Sequence, residues 1–270
     1  MQYDPVKDRF GRFVKGRPLL MRLFFAALQV MFLRAWYVRR ELRRAMSRLH
    51  GTIRVLDAGS GFGQFSWWIL RRFPNVRLHA VDVKEDYLRE AERLMLTAGL
   101  DTRSTFAVDD LTRLTTTGPY DLILSVDVME HIEEDVTVFR NFHRVLRPGG
   151  IVIINTPSDQ GGSDVHEGDD ESFISEHVRD GYATDELRSK LETAGFDVEN
   201  IEYTYGRWGS LAWRISIKWP MLLLSVSWLF ILLLPLYYVP VLPVALVLNA
   251  LDLASDVPRG TGLVAVARRA

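Results

Sequence analysis

Residues 55–66, VLDAGSGFGQFS, decide the fold. The stretch opens on strand-forming apolar residues, turns through Gly59, Gly61 and Gly63, and runs on into the helix-forming segment GQFSWWILRRF. Glycine admits the left-handed backbone that a tight strand-to-helix turn needs, and it lets a ligand approach N–H groups at a helix start. The turn therefore reads as a nucleotide-binding loop. A dinucleotide fingerprint, G-x-G-x-x-G, would place its third glycine at position 64, which here is Gln64, so a dinucleotide is disfavoured.

Outward from this loop the pattern repeats. VRLHAVDV (76–83), STFAVDD (104–110), YDLILSVDVMEHI (120–132) and IVIINTP (151–157) read as strands, alternating with the helical YLREAERLMLTAG (87–99), DVTVFRNFHRV (135–145) and TDELRSKLETAG (184–195). FDVENIEYTYG (196–206) and TGLVAVARR (261–269) add two more strands. Such alternation predicts an α/β domain with a doubly wound, mostly parallel sheet, whose ligand sits at the carboxyl ends of the strands.

The spacing D-x-G-x-G-x-G from Asp57 resembles the first motif of the class I S-adenosylmethionine-dependent methyltransferases, and the later strands carry that family's further motifs in order. The resemblance covers about residues 51–205 plus the final strand, and it implies a seven-stranded sheet in the order 3-2-1-4-5-7-6. It also implies S-adenosylmethionine as cofactor, held by Asp57, Gly59, Ser60, Gly61, Gly63, Asp82, Val83, Asp109, Asp110, Leu111 and Ser125. Asp82 would accept the ribose hydroxyls, or alternatively cap the next helix; of Asp109 and Asp110, the second better matches the family's adenine contact. In-line methyl transfer needs positioning and exclusion of water more than covalent help.

If the acceptor is a hydroxyl, a general base would assist, and histidine titrates in the useful range. His131 in MEHI is the first candidate and His177 in SEHVRDGY the second; either is equally read as fixing a loop. Residues 157–182 form a long polar stretch, a candidate lid. Its Asp164, His166, Asp169, Asp170, Glu176 and His177 show no strict ligand spacing, so a solvated acidic loop is favoured over a metal site.

The chain of 270 residues has no cysteine, which excludes disulfides and thiolate metal sites. Formal net charge is −1, yet residues 1–50 hold 12 Lys/Arg against 3 Asp/Glu, so a basic arm precedes an acidic body. Within it PLLMRLFFAALQVMFLRAWYVRR (18–40) is nearly continuous apolar sequence, interrupted by Arg22 and Arg34 and lacking a small-residue cleavage site, and is expected to stay in the mature protein as one apolar and basic helix.

A second apolar stretch, WPMLLLSVSWLFILLLPLYYVPVLPVALVLNAL (219–251), carries no charge over 33 residues. It lies between the sixth and seventh strands, so it must leave and return on one side of any membrane. Two full spans need about 40 residues. The expectation is therefore a helical hairpin that enters one leaflet, broken in the middle by Pro235, Pro240 and Pro243, and flanked by the interfacial anchors Trp208, Trp213, Trp219, Arg214 and Lys218. A buried helical pair or dimer interface is the competing reading.

The chain thus divides into an N-terminal helical segment (1–50), a methyltransferase domain (51–205), a membrane-associating insertion (206–258) and a final strand (259–270). Residues 211–256 and the N-terminal helix, with Arg12, Lys15, Arg17, Arg39, Arg40, Arg43 and Arg44 reaching phosphates, would hold the protein to the cytoplasmic face of a membrane. The expected substrate is lipophilic: a quinone or isoprenoid hydroxyl or carbon, or else a lipid headgroup nitrogen. A non-catalytic scaffold is the other alternative. Nucleic acid is disfavoured as a substrate because SVDV stands where an NPPY-type tetrapeptide would follow the fourth strand.

Overall fold

A computed structural model describes residues 18–161, 178–179 and 181–270. The chain opens with α1 (Pro18–Met31) and α2 (Leu33–Met46), then β1 (Ile53–Ala58), α3 (Gln64–Arg72), β2 (Val76–Asp82), α4 (Glu85–Thr97), β3 (Ser104–Val108) and β4 (Tyr120–Val126). It continues through α5 (Asp135–Val145), β5 (Leu146–Pro157), α6 (Thr184–Thr193) and β6 (Phe196–Thr204). The insertion comprises α7 (Arg207–Trp213), a π-helical turn (Arg214–Lys218), α8 (Trp219–Val226), a 3-10 turn (Trp228–Leu232) and α9 (Leu234–Ala254), and β7 (Gly262–Arg269) completes the sheet.

The strand order is β3-β2-β1-β4-β5-β7-β6, with β7 antiparallel to both neighbours. Alternate residues of each strand feed opposite faces. Val55, Leu122, Leu124, Ile151 and Ile153 pack on one side with α3 and α4, whereas Leu56, Ile123, Val152 and Ile154 pack on the other with Phe139 and Phe142 of α5 and Leu187 and Leu191 of α6.

The N-terminal segment departs from the expectation of one surface helix. It is two helices meeting at 87° about Phe32, and the second belongs to the domain core. Leu33, Tyr37, Val38, Leu42, Ala45 and Met46 of α2 are buried, in the same cluster as Val55, Leu124 and Val264. Its cations are correspondingly engaged: Arg40 pairs with Glu41 and Glu202, Arg44 with Glu41, and Arg39 donates to the Gln29 carbonyl at 3.0 Å. Arg40 is thus taken by carboxylates of the domain, whereas Arg44, paired with Glu41, stays more than half exposed; Arg12, Lys15 and Arg17 lie outside the described residues.

The insertion is a helical hairpin, but the prolines do not break it. The chain reverses at residues 227–233, where the Ser227 hydroxyl accepts the Leu229 N–H at 3.3 Å. Pro235 falls in the first turn of α9, where its missing N–H costs nothing, and α9 runs on through Pro240 and Pro243. The two arms are tied by the hydroxyls of Tyr237 and Tyr238, which donate to the carbonyls of Ile215 and Ser216 at 2.6 and 2.7 Å. At its base the hairpin is fixed to the domain: the buried Asp252 carboxylate accepts the Tyr37 hydroxyl and the Gly209 N–H, each at 2.8 Å.

Candidate active site

The fold places the candidate site at the carboxyl ends of β1, β2 and β4, where the glycine loop and the turns after β2 and β4 converge. After β1 the chain turns through Gly59, Gly61 and Gly63 with φ of 79°, 53° and 76°. A side chain at Gly59 would also strike Val128 of the loop after β4, at 2.3 Å, so the two loops sit back to back only because position 59 has none. Four of the loop's N–H groups are engaged within the protein. Gly59 and Ser60 donate to the Val81 carbonyl at 2.9 and 3.0 Å, Gly63 donates to the Ser60 carbonyl at 2.9 Å, and Gly61 donates to Asp82 Oδ2 at 2.8 Å. These donors are spent on the loop's own turn, so what the loop offers a ligand is a glycine-bared surface and the N–H groups at the start of α3.

Asp82 also accepts the Lys84 N–H at 2.9 Å through Oδ1, so its carboxylate braces the turn while remaining partly open to the cleft. Asp57 is buried beneath the loop and accepts the Ser66 hydroxyl at 2.5 Å; burial pushes its carboxyl up to about 6. Val83 and Val108, at the ends of β2 and β3, present exposed apolar side chains, and the Phe62 and Tyr87 rings stack at 4.0 Å between the glycine loop and α4.

Asp109 and Asp110 separate in role. Asp109 turns inward and is buried, accepting the N–H groups of Thr115 and Thr116 at 3.1 and 2.8 Å, so its carboxylate serves the following loop and is unavailable to a ligand. Asp110 is exposed and accepts the Thr112 N–H at 2.9 Å, capping the 3-10 turn Leu111–Arg113, whose Leu111 is buried. Two hydroxyls test the fit of a polar ligand: Ser60 Oγ, in the glycine loop, and Ser125 Oγ, near the end of β4, are buried without a hydrogen-bond partner. Both belong to the set that resemblance assigned to the cofactor, and a buried hydroxyl without a partner is costly unless a ligand satisfies it.

Beyond β4 the chain carries groups that sequence reasoning passed over. Asp127 pairs with Arg34 of α2, whose own N–H donates to the Tyr205 hydroxyl at 3.0 Å. Glu130 is buried and accepts the Thr156 hydroxyl at 3.2 Å; burial pushes its carboxyl up to about 7, against the opposing charge of Arg34. The signal was present in Arg34, a cation within an apolar run, and in the Glu of MEHI beside the favoured histidine. His131 itself is exposed in the 3-10 turn Met129–His131. His177 and the acidic loop residues lie outside the described residues, and among the described residues no group of three His, Asp or Glu side chains is placed to hold a metal.

The described residues on either side of positions 162–177 are pinned. Asp159 donates to the Tyr182 carbonyl at 3.0 Å, Tyr182 donates back to the Pro157 carbonyl at 3.1 Å, and the Tyr182 hydroxyl reaches the buried Asp135 at 2.7 Å. Arg179 and Lys190 close on the same carboxylate at 2.6 and 2.7 Å.

The methyltransferase-domain family matches residues 55–150. Over 102 residues the chain is 28% identical to a malonyl-[acyl-carrier protein] O-methyltransferase of Ilyobacter polytropus, covering 38% of each chain. Over 104 residues it is 29% identical to the ubiquinone biosynthesis O-methyltransferase of a Caulobacter species, covering 38% of this chain and 40% of that one. The matched segment thus spans well under half the length of these relatives. In fold the chain resembles the Haemonchus contortus phosphoethanolamine N-methyltransferase 2 solved with S-adenosyl-L-methionine, with a TM-score of 0.62 at 20% identity, over 96% of this chain and 60% of that one.

Proposed function

Because the chain carries the methyltransferase domain of the class I S-adenosylmethionine-dependent superfamily, we propose that it moves a methyl group onto a lipophilic acceptor that it meets at a membrane surface. The cofactor would supply an electrophilic methyl on a sulfonium. Asp82 would hold the ribose, Asp110 the adenine edge, and Ser60 and Ser125 the polar groups that reach their buried hydroxyls, while Asp57 and Gly59 keep the loop in shape. Asp109 and Leu111 would act only by shaping the wall. His131 is the proposed proton acceptor for a hydroxyl substrate.

The observation that carries the lipophilic part is the apolar surface. Trp219, Leu222, Val226, Leu229, Leu232, Leu233, Leu236 and Val239 are exposed along the hairpin, and Leu19, Leu23 and Val30 on α1. Patches of this kind mark a membrane or partner contact. Near its C-terminal end α9 is buried at Ala245, Leu248, Asn249 and Asp252. By length and composition α9 alone, Leu234–Ala254, is enough to cross a membrane. Because β6 and β7, on either side of the hairpin, belong to one sheet, the chain must return on the side it entered, which favours entry into one leaflet.

The test is incubation of the full chain with methyl-labelled S-adenosylmethionine and a total lipid extract, followed by phase separation. Label in the organic phase is expected, with mass spectrometry assigning it to oxygen, carbon or a headgroup nitrogen. Cofactor binding with no label in any lipid would overturn the lipophilic acceptor.

A further inference from the structure

At the end of β4 stands an arginine that holding the cofactor does not require. Arg34 lies two residues past the bend at Phe32 and is fixed through its backbone by the Tyr205 hydroxyl at 3.0 Å. Its guanidinium pairs with Asp127 and lies 5.2 Å from the centre of the Phe32 ring. Asp127 has φ of 53°, in the left-handed region where a non-glycine residue is strained, and its N–H donates to the Asn155 carbonyl at 2.9 Å.

The pair is not sealed: Arg34 is 32% and Asp127 30% exposed. With about a third of each side chain open to water, the guanidinium can be reached without unpacking the helix. Backbone strain such as that at Asp127 concentrates at functional sites. The surrounding charges are carboxylates: Asp57, Asp82, Asp127 and Glu130 stand at the ends of β1, β2 and β4. Arg34 is also near the apolar surface in sequence: Val30, exposed on α1, precedes it across the bend at Phe32, and the Met31 carbonyl between them accepts from Asn249 of α9 at 3.3 Å.

We propose that Arg34 is an acceptor-binding residue, exchanging Asp127 for an anionic oxygen on a lipophilic acceptor that arrives past the corner between α1 and α2. Until the acceptor arrives, Asp127 holds the guanidinium in place; afterwards Arg34 orients an ionised hydroxyl or carboxylate, in preference to an amine. The exchange makes and breaks no covalent bond. The assignment deepens the methyl-transfer reading and rests on it for the identity of the site.

The test is titration calorimetry of the full chain, saturated with S-adenosylhomocysteine in dodecyl maltoside, with 4-dodecylbenzoate and its neutral counterpart 4-dodecylbenzamide. The wild type should prefer the benzoate by at least tenfold, and Arg34→Gln should abolish the preference. Asp127→Asn, which removes the competing carboxylate, should strengthen benzoate binding, a sign that simple damage to the fold would not give. An equal ratio in wild type and Arg34→Gln, or weaker benzoate binding by Asp127→Asn, would overturn the assignment. A chain that keeps the benzoate preference but binds neither S-adenosylhomocysteine nor S-adenosylmethionine would overturn the methyl-transfer reading instead.

Discussion

The Tyr37 hydroxyl donates to the buried Asp252 carboxylate at 2.8 Å, and through that contact a helix of the domain core holds the base of the apolar hairpin. The other oxygen of Asp252 takes the Gly209 N–H at 2.8 Å, so one carboxylate joins α2, α7 and α9. A side chain at Gly209 would meet Leu33 at 2.4 Å, which shows how closely the hairpin is seated on α2.

Asp252→Ala would leave a buried hydroxyl and a buried N–H without their acceptor. We expect a loss of about 2–5 kcal/mol, with Tyr37→Phe costing about 1–2 kcal/mol. Thermal unfolding should show both losses, and limited proteolysis should show earlier cutting between residues 205 and 262 in Asp252→Ala. Unchanged melting for Asp252→Ala would mean the hairpin is held by its apolar contacts alone.

Asp82 braces Gly61 and faces the cleft, so Asp82→Ala removes both a loop contact and the proposed ribose acceptor. Affinity for S-adenosylmethionine should fall by about 2–3 kcal/mol, as for loss of hydrogen bonds to a charged group. Asp109→Asn should affect folding more than binding, because that carboxylate is spent on Thr115 and Thr116. Calorimetry that finds Asp82→Ala binding as wild type would remove the nucleoside from this end of β2.

Glu130 gives a pH signature. Its carboxyl is raised from 4.5 to about 7 by burial, so the folded state holds the proton more tightly than the unfolded chain. The stability it contributes is full below about 4.5 and is lost as pH rises through about 7. Relative to Glu130→Gln, the wild type should therefore weaken over that window by an amount on the order of 3 kcal/mol and run parallel above it. Denaturant unfolding of both proteins between pH 4.5 and 8 measures the difference, and a constant gap would show that Glu130 ionises normally.

The strands and the glycine loop were legible because both are local, whereas the order of the strands in the sheet came from the family resemblance. A short apolar run buried on both faces and a turn that only glycine accepts leave marks within a few residues, as at Val55–Gly63. The contacts made across the fold were not legible for the opposite reason. Arg34 finds Asp127, and Tyr37 finds Asp252, only when distant segments meet, and nothing near Arg34 in the sequence names its partner. Asp109 and Asp110 illustrate the same limit at short range: adjacent carboxylates at a strand end face opposite ways, and the backbone of residues 115 and 116 decides which is consumed. Pro240 and Pro243 misled because proline's dislike of a helix interior is a tendency, and here the turn at residues 227–233 precedes them.

The hairpin tip is proposed to reach lipid, not to complete the domain, so Leu229, Leu232, Leu233 and Leu236 should be replaceable together by serine without loss of fold. Sedimentation with phosphatidylcholine vesicles should drop at least tenfold for the fourfold variant while S-adenosylmethionine still binds with wild-type affinity. Retained sedimentation would move the attachment to α1.

The central claim, that the acceptor is met in the membrane, is tested most directly by comparing methyl transfer from labelled S-adenosylmethionine by the wild type and the fourfold serine variant into the same lipid extract, held in vesicles or dispersed in dodecyl maltoside. The variant should transfer little to vesicle-borne acceptor and recover towards the wild-type rate in detergent, where the hairpin is no longer needed for access. Equal transfer by the two proteins from vesicles would contradict it.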